Sequence, residues 1–352
     1  MKKGYLVLAD GTVYEGIRFG ADASAAGELV FTTAVVGYGE TLTDPAYFGQ
    51  IVLQTYPMIG NYGIIEEDLT AKPALSAYIV REYCETPSNF RCDITIDEYL
   101  RREGIPGLAG IDTRAVTRHI REAGVMNAML CDEVPADLSS LAAKDYAAGG
   151  VEKLTCKAAS EIPAEGEEIA HAAVLDLGAA DAVIAQLTAK GVRVTRFPAF
   201  SSAEEILAAK PDGLVLSAGP GDPAALELPA LKDLIYRLPI FGVGLGHQVL
   251  AIAFGGKTFK LKYGHRGGNQ PVTEVGGNTH ITAQNHGYAV DAESLSGIAN
   301  VIFTNANDGT CEGLEYPNHR AFSLQFAPET CRVPRDLTNL YDRFINEMKG
   351  VR

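Results

Sequence analysis

The chain has no Cys-x-x-Cys pair, no His-x-x-x-His or mixed His/Cys cluster at ligand spacing, and no Gly-Lys-Ser/Thr ending to any glycine turn. Each absence removes a class of function. Six cysteines (Cys84, Cys92, Cys131, Cys156, Cys311 and Cys331) are sparse for a disulfide scaffold, so they read as reduced thiols in packing roles. Without ligand spacing no metal site is expected, and without the P-loop ending a phosphate cradle at Gly219-Pro220-Gly221 is a weak reading. No run approaches the ~18 uncharged apolar residues that cross a bilayer. The start, Met1-Lys2-Lys3-Gly4-Tyr5, leads into a short amphipathic strand pattern instead of a signal-peptide core, so a cytoplasmic location is expected. Clustered cations interleaved with aromatics are missing too. With a net charge of −14 spread along the chain, neither nucleic acid nor an anionic membrane is an expected partner. Arg81, Arg91, Arg114, Arg118 and Arg121 are candidate partner-facing cations, set against an ordinary solvated or internally paired face.

What is present is a long, core-forming chain: 352 residues, 47% of them hydrophobic, enough for two domains. Residues 1–150 are rich in strand and turn signals, beginning with Tyr5–Ala9 and Val13–Glu15 joined through Asp10-Gly11, a two-residue hairpin signal. Helices are expected at 96–103 and after Asp112, where Val116 and Ile120 share a face. This half reads as a β-rich mixed domain.

Over 151–170 periodicity gives way to small and charged residues, which predicts a linker. From 171 to 352 strand and helix alternate: strands at 173–177, 192–197, 214–217 and 240–243, with helices at 180–190, 202–209, 228–238 and 246–254. Ser202-Ala203-Glu204-Glu205 is a capping box and Gly191 a helix stop. Such alternation predicts a parallel sheet covered on both faces. Short strands follow near 279–283, 299–304, 311–314 and 322–325, then a final helix at 337–349.

Three turns stand out by composition. Ser217–Pro223 places glycines after a strand end, Phe241–Gln248 reads strand, tight glycine turn, helix, and Gln325–Glu329 ends the last strand. Together they resemble the class I glutamine amidotransferase domain, a flavodoxin-like fold with a parallel central sheet that carries a Cys on the second turn and a His and Glu on the third. The first half adds Gly37–Tyr47, Thr55–Asn61, Ser88–Arg91 and Gly110–Arg114. With Gly264–Val272 and Thr282–Val290 in the second half, these strings are similar to the small subunit of glutamine-hydrolysing carbamoyl-phosphate synthetase over nearly the whole chain.

That family hydrolyses glutamine and passes ammonia through a tunnel to a large synthetase subunit, which consumes ATP and bicarbonate. The resemblance therefore implies a large-subunit partner, glutamine as a candidate ligand, a role in arginine and pyrimidine biosynthesis, and no cofactor in this chain. By position it implies a glutamine pocket from Gly219, Gly221, Leu245, Gln248, Asn285, Gly287 and Tyr288, with Ala46 where the family often has serine. Backbone N–H groups of Gly219 and Leu245 are the expected oxyanion donors.

The departures fall on the chemistry. Gly244 stands at the nucleophile's position, Ala327 at the base's, and of the triad only Glu329 is retained. The turn at Gly178–Asp181 also lacks the family's usual Lys. Amide hydrolysis needs a nucleophile, a base and oxyanion donors, and losing members that act as a unit costs on the order of 10⁶ in turnover. The expected function is thus that of a pseudo-glutaminase partnering a large synthetase subunit. Two alternatives are an active glutamine-hydrolysing subunit with a substitute group, for which Cys331 is the nearest thiol in sequence, and a stand-alone glutamine- or amide-binding module. His247 and His286, inside family motifs, are expected in hydrogen-bonding roles.

Overall fold

The computed structural model describes residues 2–328, 337 and 339–350. The chain divides into two compact units, the first ending at Ala148 and the second starting at Gly149.

In the first unit seven strands close a barrel: β1 (Lys3–Leu8), β2 (Val13–Gly20), β3 (Ala25–Thr32), β4 (Gln50–Gln54), β5 (Ala77–Ile79), β6 (Pro106–Ala109) and β7 (Met126–Cys131). Their order around it is β1-β2-β6-β5-β4-β3-β7, closed by the antiparallel pairing of β7 with β1. Closure leaves no unpaired edge strand. The β1–β2 connection is longer than the two-residue turn expected from Asp10-Gly11. Leu8 N–H donates to Thr12 O at 2.9 Å and Gly11 sits at φ 92°, a left-handed position where a side chain is costly. Its helices include α1 (Tyr38–Thr43), α2 (Ile96–Arg102) and α3 (Thr113–Ala123). Asp112 caps α3 by accepting from the N–H groups of Arg114 and Ala115, each at 3.0 Å, while Val116 and Ile120 are buried as their spacing predicts.

The segment 151–170 is not a free linker. Its start lies in helix α4 (Gly150–Leu154), where Val151 joins a core cluster, and β8 (Ser160–Ile162) pairs antiparallel with a strand of the second unit. The physical reason it reads as linker is that β8 is a three-residue edge strand whose Ser160 and Glu161 face solvent. Only Ile162 packs inward.

The second unit's sheet has ten strands. After β8 come β9 (Ala170–Asp176), β10 (Val192–Pro198), β11 (Gly213–Leu216), β12 (Ile240–Val243), β13 (Lys257–Glu274), β14 (Thr279–Asp291), β15 (Asn300–Asn305), β16 (Cys311–Tyr316) and β17 (Ala321–Leu324). The order is β8-β10-β9-β11-β12-β17-β16-β14-β13-β15, parallel from β10 to β17 and antiparallel beyond. Parallel strands β9, β11, β12 and β17 are buried throughout, while β10 keeps Arg193 and Arg196 partly exposed; α5 (Asp181–Ala189), α6 (Ala203–Ala208), α7 (Pro229–Leu234), α8 (Leu245–Ala253) and α9 (Asn339–Lys349) accompany them. Phe241 on β12 stacks on Phe322 of β17 at 4.7 Å between centroids and meets Tyr341 of α9 edge-on at 5.6 Å. No described helix is long and apolar enough to cross a membrane.

Candidate functional site

Strands β11, β12 and β17 are sheet neighbours and run parallel, so the turns at Ser217–Gly221, Gly244 and Gln325–Ala327 leave the same carboxyl edge side by side. That edge is where open parallel sheets bind ligands.

Gly244 is the hinge between β12 and α8, at φ 58° and ψ −114°. Its N–H donates to Leu324 O at 2.8 Å, fixing the turn to β17, and the N–H of Gly246 donates to Ser217 O at 3.0 Å, fixing it to β11. The packing is close. A Cβ on Gly246 would lie 2.2 Å from Leu216 O, one on Gly219 2.0 Å from Leu177 O, and one on Gly244 3.0 Å from the Ala218 Cβ. The first two glycines are therefore obligatory for approach, whereas Gly244 is held by its backbone angles. Gly221 is also left-handed, at φ 100°. Leu245, the first residue of α8, buries its side chain in the core; the Gly246 and His247 N–H groups are taken by Ser217 O and Gly244 O, whereas the N–H groups that a helix N-terminus or a glycine turn such as Gly219 presents have no intrahelical acceptor. These are the groups that can face a developing oxyanion.

Gln248, one turn into α8, is buried and donates from Nε2 to Tyr288 O at 2.7 Å and to Gln325 Oε1 at 2.9 Å. It thereby joins α8, β14 and the end of β17. Asn285, Gly287 and Tyr288 lie on β14, opposite a β-bulge in β13 between Lys260 and His265. Gly287 sits close to the buried Arg266, whose Nη2 a Cβ there would approach to 3.2 Å. Thus Gly219, Gly221, Gly244 and Leu245 fall at one sheet edge, and Gln248 ties them to Tyr288 on β14, the strand that also carries Asn285 and Gly287. Ala46 belongs to the first unit, where Asp44 Oδ1 accepts its N–H at 2.9 Å.

Ala327 presents only a methyl, partly buried against the core that contains Phe326. Glu329 and Cys331 lie outside the described residues. Burial pushes the Cys131 and Cys156 thiols upward and that of Cys311 up to about 12, away from a reactive thiolate. Arg91, one of the candidate partner-facing cations, is paired internally with Glu67 and Asp68.

Buried hydrogen bonds brace these turns, and His247 and His286 take the hydrogen-bonding roles expected of them. Ser217, fully buried, accepts from the Leu177 N–H at 2.9 Å and donates to Ala218 O at 2.8 Å, bracing the first glycine turn. His247, also fully buried, has Nδ1 2.8 Å from Ser323 Oγ, and desolvation pushes its pKa down to about 3, so it is neutral. His286 has Nδ1 2.8 Å from Tyr288 O, and burial takes its pKa well below the ordinary value. Both histidines hold hydrogen bonds, with a neutral ring. Local spacing gave no metal cluster, yet strand pairing gathers His265, His286 and Glu312 so that one ligand atom of each lies within 4.8 Å of the others.

Comparison with known proteins gives the family. Residues 6–130 match the model for carbamoyl-phosphate synthase small chain, CPSase domain, and residues 173–347 that for glutamine amidotransferase class-I. The carbamoyl phosphate synthase small chain of Fusobacterium nucleatum is 43% identical over 354 residues, covering 97% of each chain. That of Syntrophotalea carbinolica is 43% identical over 368 residues, covering 99% of this chain and 98% of its own. A glutamine amidotransferase from Thermotoga maritima overlays on 52% of this chain and 99% of its own at 17% identity and a TM-score of 0.40. With two family models in series and full-length relatives at this identity, the chain belongs to the carbamoyl-phosphate synthase small chain family.

Proposed function

We propose that this chain is a non-hydrolysing small chain that docks on a carbamoyl-phosphate synthase large chain and supports its ammonia-dependent reaction or its regulation. The observation that carries the reading is Gly244: the elbow that would lift a nucleophile over a helix N-terminus keeps its backbone form, yet bears no atom that can attack. Ala327, at the base's position, offers no proton acceptor. Oxyanion donors alone leave weak residual catalysis, because nucleophile and base act as a unit. On this reading the small-chain pocket binds glutamine or a related amide without cleaving it, and the large chain uses free ammonia with ATP and bicarbonate. The setting is cytoplasmic, in arginine or pyrimidine biosynthesis.

The test is glutaminase turnover by the purified chain, alone and with a large chain. No glutamate release above background is expected in either case. Family-typical turnover would contradict the proposal and favour a substitute nucleophile.

A further inference from the structure

Glu312, on β16, is a fully buried carboxylate, and the one potentially cationic side chain within 4.0 Å of it among the described residues is the His265 ring, Nδ1 to Oε1 3.3 Å. Its other contacts are neutral donors: Asn305 Nδ2 reaches Oε1 at 3.0 Å and Gln284 Nε2 reaches Oε2 at 3.0 Å. A buried carboxylate so placed needs a compensating charge.

The proton inventory around it leaves a nitrogen lone pair pointing inward. His286 Nδ1 lies 2.8 Å from the carbonyl of Tyr288, which only accepts, so Nδ1 carries hydrogen and Nε2 the lone pair. That Nε2 faces Gln284 Oε1 at 3.1 Å. The amide of Gln284 cannot flip to offer hydrogen, because its Nε2 is engaged by Glu312 and by Thr282 Oγ1, whose own proton goes to Gln270 O. Acceptor therefore faces acceptor. The His265 ring bridges two carboxylates, with Nε2 2.9 Å from Asp308 Oδ2 and Nδ1 3.3 Å from Glu312 Oε1, and the Asn305 amide reaches the same Nδ1 at 3.4 Å. The charge that balances Glu312 is a proton on His265 Nδ1 or an ion standing in that proton's place beside the His286 Nε2 lone pair.

We infer that His265, His286 and Glu312 form a binding site for a divalent transition-metal ion of the zinc class. Two imidazoles and one carboxylate are a zinc donor set, and Asp308 and the Tyr288 carbonyl hold the outer ring nitrogens as metal-bound histidines require. With bonds of ~2.1 Å, tetrahedral ligand atoms stand roughly 3.4 Å apart. The His265–Glu312 pair is already at that spacing, and the widest separation, at most 4.8 Å, has to close by no more than about 1.4 Å. His286 keeps some exposure, which gives an ion a way in, and Gln284 Oε1 stands ready as a further oxygen ligand. The ion would clamp β13, β14 and β16 beneath the Asn285–Tyr288 segment, whether or not the chain hydrolyses glutamine.

The test uses the full-length chain stripped with a chelator and titrated with Co²⁺ alone, read by visible absorption, then with Zn²⁺ in competition. One equivalent of Co²⁺ with the intense bands of a four-coordinate site, displaced by Zn²⁺, is expected. Glu312→Gln and His286→Ala abolish the bands, Asp308→Asn weakens binding about 10- to 100-fold, and His119→Asn, in the first unit, changes nothing. Far-UV circular dichroism of Glu312→Gln, the near-isosteric variant, reports that the fold is retained. Absence of stoichiometric binding by the wild-type chain overturns the inference and leaves a protonated imidazole as the charge. Binding that survives both Glu312→Gln and His286→Ala overturns it equally.

Discussion

Gln248 Nε2 lies 2.9 Å from Gln325 Oε1, so the helix behind the Gly244 turn and the strand leading to Ala327 are tied by one buried hydrogen bond. The same nitrogen donates to Tyr288 O at 2.7 Å. Removing the amide takes the donor from buried Gln325 Oε1, at about 1–3 kcal/mol, and leaves Tyr288 O with His286 Nδ1–H. Gln248→Ala is expected to lower unfolding stability by about 2–4 kcal/mol, counting the cavity as well. Urea unfolding checks this, through a lower midpoint at unchanged slope. A loss under 1 kcal/mol would mean the three elements are held together by something else.

Gly244 tests whether the elbow is a relic held under strain or a relaxed turn. At φ 58° and ψ −114° any side chain pays about 1–3 kcal/mol, and a Cβ would also press on Ala218 at 3.0 Å. Gly244→Ala should therefore destabilise the chain by that amount in chemical denaturation. Gly244→Cys combined with Ala327→His should accept that cost and gain reactivity toward an electrophilic glutamine analogue, read by mass spectrometry. A folded double variant that takes no label would show that the pocket no longer seats the amide.

His247 sets a pH dependence. Its pKa is about 3 in the fold against an ordinary value near 6.5, because burial disfavours the charged ring. Below about pH 6.5 the unfolded chain takes up a proton that the native ring refuses, so the unfolded state binds more protons and stability falls with falling pH. The contribution is complete above pH 6.5 and is lost toward pH 3, at about 1.4 kcal/mol per pH unit. His171 and His286 act in the same direction and His265 in the opposite one, so the informative quantity is a difference. Between pH 6.5 and pH 5 the wild type should lose about 2 kcal/mol more than His247→Asn, whose amide can still reach Ser323. Parallel pH profiles for the two would contradict a neutral, buried His247.

Arg196 supports the edge of the same sheet. It bonds the fully buried Asp176 through Nη2 at 2.7 Å and Nε at 2.9 Å, and reaches Asp181 through Nη1 at 2.7 Å. Asp176 also accepts from the Cys156 and Gly178 N–H groups, so it fastens the segment after α4 to the turn after β9. Arg196→Ala strands a buried carboxylate and is expected to cost about 3 kcal/mol, with Arg196→Lys recovering part. Thermal unfolding of the pair reads the difference.

The alternating half of the chain was legible because parallel strands buried on both faces are plain apolar runs, as in Ile240–Val243, and their helices open on readable caps such as Ser202. The glycine turns were legible for the same reason: only glycine tolerates the contacts at Gly219 and Gly246. Other features were hidden by physics that spacing does not encode. Strand β13 has 18 residues, yet its burial alternates irregularly through a bulge at Gly264, so no period of two shows. Ser217, Gln325 and the His265, His286 and Glu312 group matter only through partners far along the chain, brought near by strand order. Segment 151–170 looked unstructured because its one strand lies at an edge and exposes its charges.

The central claim is that the fold has been kept while the hydrolysis has been lost, and one measurement addresses it most directly. Carbamoyl phosphate formation should be followed with this chain assembled on a large chain, with ATP and bicarbonate, using either glutamine or ammonium as the nitrogen source. Formation from ammonium, with none above background from glutamine, is the predicted result. Formation from glutamine at a rate comparable to that from ammonium would contradict it, and with it the reading of Gly244 and Ala327 as lost catalytic positions.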